Sequence, residues 1–406
     1  MCTTYAAATL AESVRDAGGT VDRLLLVRLN PAVEHKTRGN AALAVHTDLD
    51  ADTALGLVED VLGMAETDDP RTNPGAVVAD CDPDAVPPQV ETFAREAIQS
   101  IQDPVAATTL ADVVGFARCQ RGNGRGLVGA LAAVGAWAAL SDWTYEHIAY
   151  RDRERWGTER TVDAESVRAA AEKHYPAVWD TVDRDSGYPV CVPRTPCPIL
   201  YGIRGDDPAA CRAVADAIDS EPIARRATFV TNQGTDVHLR DATLDAVTAD
   251  SAYRVTGDVV APPETRPGGH VFCTLEDDGA TLDCAAFEPT KGFRDRVRSL
   301  RVGDRVTVCG EVSDGTLKLE KFAVRDLVRT ESVTPDCPDC GRSMKSAGRN
   351  QGYRCRDCGT SADGKVDRPV ERSLEHGWYE VPPVARRHIA KPLVRGGFDG
   401  PTHPSR

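Results

Sequence analysis

The chain has 406 residues, and its 62 Asp and Glu residues exceed its 48 Lys and Arg residues, which gives a formal net charge of −14. One hydrophobic core does not extend over such a length, so about three or four domains are expected. No apolar run approaches the roughly 20 residues that span a bilayer, and Met1 precedes Cys-Thr-Thr-Tyr rather than a basic segment and an apolar core. These features argue against a membrane or secreted protein, and we expect a globular protein of the cytoplasm.

The basic residues are unevenly chosen, because only eight of the 48 are Lys. An acidic surface that is poor in Lys is typical of proteins from a salt-rich cytosol. We therefore interpret the acidity as an adaptation to salt and not as evidence against a nucleic-acid partner. An ordinary acidic protein is the alternative.

Residues 1–141 alternate helical with β-rich patterns, which predicts an α/β domain. The expected helices are 3–17, 51–64 and 126–140, and the expected strands are 21–29, 41–46 and 76–80.

Two loops of this region carry polar residues that a core does not tolerate. The first, 34–40, contains Lys36, Thr37, Arg38 and Asn40, and the second, 121–126, contains Gly122, Asn123, Gly124, Arg125 and Gly126. A glycine-rich turn before a helix leaves backbone N–H groups free at the positive end of the helix dipole. This predicts a nucleotide triphosphate site, with a solvated turn as the alternative. The pattern Gly-x-Gly-x-x-Gly from residue 124 also fits a dinucleotide fingerprint, but we predict no strand leading into it.

Residues 142–245 order their elements as in a ferredoxin-like domain. The expected strands are 143–150, 199–204 and 227–231, and the expected helices are 162–174 and 208–218. The loop 179–198 holds Asp183 and Asp185, and it either lines a cleft or is a surface excursion.

Residues 250–330 predict an OB-fold from the order and length of their elements. The expected strands are 253–260, 270–276, 282–287, 305–311 and 316–325, with a helix over 290–300. OB-folds commonly bind single-stranded nucleic acid. His270, Phe272 and Lys291 are candidates for that surface, although a core position suits Phe272 better.

Residues 331–406 begin with two cysteine pairs. Cys337-x2-Cys340 is followed after fourteen residues by Cys355-x2-Cys358, a spacing that closes a tetrahedral zinc site. The nine other cysteines show no paired spacing and are expected to be reduced thiols. From Cys337 to Cys358 there are five basic and two acidic residues, which favours a phosphate backbone as partner. A purely structural ribbon is the alternative.

The C-terminal tail contains a basic run. Arg386, Arg387, Lys391 and Arg395 lie in 381–398, a stretch without Asp or Glu. Such a run either clamps RNA by charge and stacking or is docked on the body of the protein.

Five motifs, in order, together resemble the archaeal transfer-RNA(Ile) agmatinylcytidine synthetase family. They are Cys2-Thr3-Thr4-Tyr5, the segment from Val27-Arg28-Leu29-Asn30-Pro31 to Lys36-Thr37-Arg38-Gly39-Asn40, Arg125-Gly126-Leu127-Val128-Gly129-Ala130-Leu131, Tyr201-Gly202-Ile203-Arg204-Gly205, and Thr231-Asn232-Gln233-Gly234-Thr235-Asp236. The resemblance covers the whole chain. It implies an α+β multidomain protein with a kinase-like α/β domain, a ferredoxin-like domain, an OB-fold and a C-terminal zinc ribbon.

The resemblance also implies an activity. The family uses ATP to activate the 2-keto group of the wobble cytidine in an isoleucine tRNA, called tRNA(Ile) below, and the amine of agmatine then replaces it, so that the anticodon reads AUA instead of AUG. ATP, Mg2+ and a structural Zn2+ are the implied cofactors. The implied partners are tRNA(Ile) and agmatine, and we expect a monomer because no heptad or exposed apolar seam is present.

The resemblance assigns roles to individual residues. Thr3 matches a threonine that the family phosphorylates on itself, and Lys36 and Arg38 are implied catalytic residues. Thr37, Asn40 and the loop Gly122, Asn123, Gly124, Arg125 and Gly126 are assigned to the nucleotide. Agmatine is cationic at both ends, so the candidates for binding it are carboxylates, chosen by charge alone: Asp183, Asp185, Asp206 and Asp236.

One departure from the family concerns its opening segment, Gly-x-Asp-Asp-Thr-Asp-Ser, whose aspartates would hold Mg2+. This chain starts at Met1, directly before Cys2. We expect the native start to lie upstream and the 406-residue chain to be inactive by itself.

Two other functions are compatible with parts of the sequence. A single-strand-binding protein without activity would use the OB-fold and ribbon, but it has no need of the two loops of residues 34–40 and 121–126. A nucleic-acid kinase or RNA ligase would keep ATP and dispense with agmatine.

Overall fold

The structure is a computed structural model that describes residues 2–34 and 39–404. The N-terminal part contains α1 (Thr3–Asp16), β1 (Val21–Arg28), β2 (Ala41–Thr47), α2 (Ala51–Gly63), β3 (Gly75–Val78), α3 (Pro88–Gln99), α4 (Pro104–Val113), β4 (Ala117–Gln120) and α5 (Arg125–Ala139). It continues with β5 (Thr144–Arg151), α6 (Ala164–His174), β6 (Val178–Trp179), β7 (Val182–Asp183), β8 (Tyr188–Pro189), β9 (Ile199–Gly205), α7 (Pro208–Asp216) and β10 (Ile223–Thr231).

Six of these strands form one sheet in the order β2-β1-β10-β5-β9-β6. The regions 1–141 and 142–245 therefore share a sheet, because β1 pairs in parallel with β10. Strand β5 runs antiparallel to both β9 and β10. As a result, the carboxyl ends of β1, β9 and β10 lie along one edge of the sheet.

Helices cover both faces of β1, which explains its continuous buried run from Leu24 to Val27. Helix α1 packs Ala7 and Ala11 on the face that carries Leu24 and Leu26. Helix α5 packs on the opposite face, with Leu25 and Val27.

The second part of the chain is an OB-fold, as predicted. It contains β11 (Leu239–Asp241), β12 (Ser251–Val259), β13 (Glu264–Thr265), β14 (Val271–Asp277), β15 (Ala280–Ala286), α8 (Gly292–Arg298), β16 (Arg305–Ser313) and β17 (Thr316–Asp326). Strands β12, β14, β15, β17 and β16 pair successively, and β16 pairs with β12, so the barrel is closed. Its interior is filled by residues such as Val255, Leu275 and Phe322.

The C-terminal part contains the ribbon and a returning tail. Its strands are β18 (Thr330–Val333), β19 (Lys345–Ser346), β20 (Tyr353–Arg354), β21 (Ser361–Ala362), β22 (Val366–Pro369), β23 (Gly377–Glu380) and β24 (Thr402–His403). Strands β19, β20 and β21 form the small ribbon sheet, and β18 pairs with β22 at its base. Strand β23 then pairs with β17, which returns the chain to the OB barrel.

The predicted fold class is confirmed, and one local prediction is wrong. A strand does lead into the glycine loop of residues 121–126, because β4 precedes it and pairs with β3 apart from the main sheet. Strand β4 is only four residues long, Ala-Arg-Cys-Gln, so it has no alternation that reveals a strand. Among the described residues, no helix is long and apolar enough to cross a bilayer.

Candidate active site

Two loops meet at the carboxyl edge of the central sheet, one after β1 and one after β10. The backbone N–H of Arg28 donates to Oδ1 of Asn232 at 2.7 Å, and Nδ2 of Asn232 donates back to the Arg28 carbonyl at 2.9 Å. The same carbonyl lies 3.1 Å from Nε2 of His238. The loop from Thr231 to His238 is thereby fixed against the end of β1.

Charged groups are buried beside these loops. Glu146 on β5 accepts a hydrogen bond from Nε2 of Gln233 and forms an ion pair with Arg204 at 3.2 Å. A Cβ atom at Gly202 would lie 2.7 Å from Oε1 of Glu146, so the neighbouring strand must carry glycine there. Burial lowers the pKa of Arg28, while the charge of Glu146 opposes that change.

Several buried polar atoms at this edge have no hydrogen-bond partner within residues 2–34 and 39–404. They are Nε of Arg28, Nε of Arg204, Oε1 of Gln233 and Nδ1 of His238. An unsatisfied buried polar group costs about 1–3 kcal/mol. Their concentration at one edge indicates a site for polar ligands rather than a packed core.

The N-terminus of α1 points to this edge. Thr3 is the first helical residue and is exposed, and the neighbouring Cys2 is close enough to Arg28 to interact with it electrostatically. The N-terminus of a helix favours anionic groups, so a phosphate on Thr3 or beside it would be stabilised here.

The glycine loop reaches the same edge from the other face. A Cβ atom at Gly129 on α5 would lie 3.1 Å from Cβ of Ala42 and 3.5 Å from Cδ1 of Leu29. The first turn of α5 therefore lies beside the end of β1 and the start of β2.

Three glycines of the loop have distinct steric reasons. Gly124 precedes the helix with φ 81°, in the left-handed region. A Cβ at Gly122 would lie 2.2 Å from Oδ1 of Asn73, and one at Gly126 would lie 2.2 Å from the backbone nitrogen of Gly75. Gly122 and Gly126 are thus required by packing.

The remaining members of the two sequence loops differ in placement. Asn123 and Arg125 are exposed at the start of α5. Asn40 donates from Nδ2 to the Asn30 carbonyl at 2.9 Å and so closes the loop between β1 and β2. Lys36, Thr37 and Arg38 lie outside the described residues.

Three of the four aspartates suggested for agmatine hold cations of the protein itself. Oδ2 of Asp183 lies 3.4 Å from Nζ of Lys291 in the OB domain. Asp206 pairs with Arg395 at 2.7 Å, and Asp236 pairs with Lys321 at 2.8 Å. Asp185 is exposed and forms no ion pair within the described chain.

The C-terminal tail is docked on the body, the second of its two predicted alternatives. Arg386 lies between two buried carboxylates, 2.7 Å from Asp180 and 2.9 Å from Glu380. Arg395 spans the sheet domain, with Nη2 2.9 Å from Oδ1 of Asp142 and Nη1 2.6 Å from the Gly234 carbonyl.

The two remaining basic residues of the tail are also engaged. Arg387 pairs with Glu311, and the backbone N–H of Lys391 donates to Oδ1 of Asp236 at 2.7 Å. The tail therefore connects the OB barrel to the carboxyl edge of the sheet.

A cavity of about 490 Å³ opens beside the Arg386 ion pairs and is lined in part by Trp179, Asp180 and Glu380. Trp179 is also packed under the loop after β10, because a Cβ at Gly234 would lie 2.5 Å from its ring. The cavity is therefore adjacent to the carboxyl edge.

Sequence reasoning did not single out several residues of this site. Those residues are Arg28, Glu146, Asp180, Arg204, Gln233, His238, Glu380 and His388. Arg28, Arg204 and Gln233 stand inside the motifs quoted above, which was a usable signal. Nothing in the sequence marks Glu146 or Asp180, because their partners are distant along the chain.

The four ribbon cysteines come together as their spacing predicts. The Sγ atoms of Cys337, Cys340, Cys355 and Cys358 lie within 4.8 Å of one another, and those of Cys340 and Cys355 are 3.6 Å apart. Four thiolates at such distances suit a tetrahedral Zn2+ ion.

Comparisons with known proteins cover the whole chain. Profiles of the TiaS TCKD domain, the TiaS FLD domain and the TiaS C-terminal zinc ribbon domain match residues 1–51, 124–238 and 334–374, respectively. The profile of an OB-fold nucleic acid binding domain matches residues 253–320.

Relatives and solved structures agree with the profiles. The 2-agmatinylcytidine synthetase TiaS of Haloquadratum walsbyi, named for its isoleucine tRNA, is 54% identical, over 100% of this chain and 97% of its own. The TiaS of Archaeoglobus fulgidus is 42% identical, over 98% of this chain and 95% of its own.

The crystal structure of TiaS in complex with its isoleucine tRNA and ATP has a TM-score of 0.90 at 42% identity, and that of TiaS with the tRNA, AMPCPP and agmatine has 0.87 at 40%. Each alignment covers 100% of this chain and 96% of the solved one. With such identity over nearly the full length of both chains, this protein belongs to the family of 2-agmatinylcytidine synthetases of isoleucine tRNA, the TiaS family.

Proposed function

We propose that the protein is an ATP-dependent ligase that attaches agmatine to the 2-keto carbon of the wobble cytidine of tRNA(Ile). The observation that carries the proposal is the full-length similarity to TiaS structures solved with this tRNA, ATP or its analogue, and agmatine. The carboxyl edge of the central sheet supports it, because two helix N-termini, buried arginines and unsatisfied polar atoms converge there.

The nucleotide is assigned to the edge between α1 and α5. Lys36 and Arg38 are proposed to neutralise charge that develops on the transferred phosphoryl group. Thr37, Asn40 and the first turn of α5 would hold the remaining phosphates, with Arg125 as the flexible cation. Thr3 is proposed as a phosphate acceptor, and its position at the N-terminus of α1 would stabilise that phosphate.

Mg2+ is proposed as the ion that bridges the ATP phosphates. It would supply charge neutralisation during phosphoryl transfer, while this chain orients the reacting groups through Arg28 and the loops of the carboxyl edge.

Agmatine needs anionic partners because both of its ends are cationic. Asp183, Asp185, Asp206 and Asp236 remain candidates, although three of them already neutralise cations. Asp180 and Glu380 are additional candidates, because both line the cavity beside Trp179. An apolar wall with a few placed carboxylates is suited to an alkyl guanidinium.

The OB barrel and the ribbon are proposed to hold the transfer RNA, since phosphate contacts position a nucleic acid and leave base chemistry to another site. The ribbon cysteines would hold Zn2+ as a structural ion. A tRNA substrate also places the reaction in the cytoplasm.

Consumption of ATP tests the proposal against its rivals. We expect phosphate release only when tRNA(Ile) and ATP are both present, and a covalent product only when agmatine is added. The protein should be expressed with its native upstream codons retained. A single-strand-binding protein would release no phosphate, and an enzyme that activates RNA ends would form its product without agmatine.

A further inference from the structure

We propose that His388 of the C-terminal tail is the base that accepts a proton from the amine of agmatine during the ligation. The inference rests on the proposed function and adds a residue of the tail to the reaction.

The first observation is the position of the tail. Arg386 is held by Asp180 and Glu380, and the backbone N–H of Lys391 is held by Asp236. Between these anchors Ile389 is buried, with 1% of its surface exposed. His388 is therefore fixed from both sides next to the loop that follows β10.

The second observation is the backbone of His388 itself, which has φ 65°. Few non-glycine residues adopt the left-handed region, and strain of this kind is retained when the surroundings enforce it, often at functional sites. Nδ1 of His388 is also buried and has no hydrogen-bond partner in the described part of the chain. The fold thus holds an imidazole in a strained position without using its nitrogen for structure.

The third observation is the charge around the imidazole. Burial lowers the pKa of His388, and the charges of Arg204, Arg28 and Arg386 lower it further, with a smaller effect of His238. These guanidiniums and His238 are the charged and titratable groups that face it. His388 is consequently neutral at pH 7 and able to accept a proton.

The chemistry requires such an acceptor. Agmatine arrives as an ammonium ion, and burial beside guanidiniums favours loss of its first proton to solvent. As the neutral amine attacks carbon 2, a C–N bond forms and the C–O bond to the phosphorylated oxygen breaks, with its electron pair leaving on phosphate. The second N–H proton then passes to the imidazole of His388, which becomes an imidazolium and returns the proton to solvent.

The test uses two substitutions that tolerate a positive φ, His388→Asn and His388→Gly. Formation of agmatinylcytidine in tRNA(Ile) is measured with saturating ATP, together with the melting temperature and tRNA affinity. We expect kcat to fall about 100-fold in both variants, with KM for agmatine changed by less than about threefold. Added imidazole should restore part of the rate of His388→Gly.

The matched control is His403→Asn, in the same tail. His403 stacks on Tyr379 with ring centroids 4.5 Å apart, away from the carboxyl edge. This control should keep the wild-type kcat. A kcat above half of the wild-type value in His388→Asn would overturn the proposal, as would a loss that imidazole does not restore. If the wild type forms no product, the proposed function fails, whereas product from the wild type and from unimpaired variants refutes only the role of His388.

Discussion

Nε of Arg386 lies 2.7 Å from Oδ2 of Asp180, and the two side chains are only 2% and 3% exposed. A residue of the C-terminal tail thereby neutralises a carboxylate next to the central sheet, 206 positions earlier in the chain. Because Arg386 also contacts Glu380 on β23, one guanidinium joins the sheet domain to the OB barrel. This junction borders both the cavity beside Trp179 and the tail segment that carries His388.

Replacing Arg386 should strongly destabilise the protein. In Arg386→Met, Asp180 and Glu380 lose a shared buried cation, and breaking such a pair costs about 3–5 kcal/mol. Chemical denaturation at pH 7.5 measures the loss. The control is Arg368→Ala, whose ion pair with Glu331 is 62% and 42% exposed, and which should cost less than about 1 kcal/mol. Equal losses in the two variants would show that the buried junction is not special.

Glu320 should make stability depend on pH. Burial raises its pKa from 4.5 to about 7, against the opposing charges of Arg386 and Arg387. Between these values the unfolded carboxyl is ionised while the folded one keeps its proton, so stability falls as pH rises from about 4.5 to about 7 and then levels off. We expect Glu320→Gln to gain up to about 3 kcal/mol over the wild type at pH 8 and nothing near pH 4.

Denaturation curves of Glu320→Gln and the wild type from pH 4 to 8 give this difference. The exposed Glu154→Gln is the control and should follow the wild type throughout. A constant difference between Glu320→Gln and the wild type would contradict the prediction.

Two neighbouring substitutions in the glycine loop should act differently. Arg125→Ala removes an exposed cation and should raise KM for ATP about tenfold without changing stability, since a charge-assisted hydrogen bond contributes about 1.5 kcal/mol. Gly126→Ala would place a methyl group 2.2 Å from the backbone nitrogen of Gly75, so it should lower stability by about 2 kcal/mol or more. Initial rates and melting temperatures separate the two. An unchanged KM in Arg125→Ala would remove this loop from the nucleotide site.

The ribbon should bind one zinc ion per chain. Cys340→Ser with Cys358→Ser removes two of four thiolates, so we expect the zinc content to fall to near zero and tRNA affinity to drop, because the ribbon depends on its ion for folding. Metal analysis and filter binding measure both. Cys81→Ser, at an exposed cysteine outside the cluster, is the control and should keep its zinc. Full zinc content in the double variant would refute the site.

The OB-fold was predictable to within a few residues because its strands alternate between turns. The hairpin of β14 and β15, for example, turns at Asp278 and Gly279, both with positive φ, and sequence alone marks such a turn. The zinc cluster was equally predictable, since its ligands are close in sequence.

The active edge was only partly predictable, because its contacts join distant residues. Arg395 of the tail bonds Asp142, and Gln233 bonds Glu146, and neither pairing leaves a local pattern. The unopposed cations of the tail therefore suggested RNA as readily as a docked segment. Their partners are aspartates and glutamates supplied by the fold.

The most direct test is mass spectrometry of the nucleosides of tRNA(Ile) after incubation with the protein, ATP, Mg2+ and agmatine. The protein is expressed with its native upstream codons retained. We predict a cytidine that is heavier by agmatine less water, found at the wobble position and absent when ATP or agmatine is omitted. Unmodified cytidine in the complete reaction, from protein that still binds the tRNA, would contradict the assignment of this chain as a ligase.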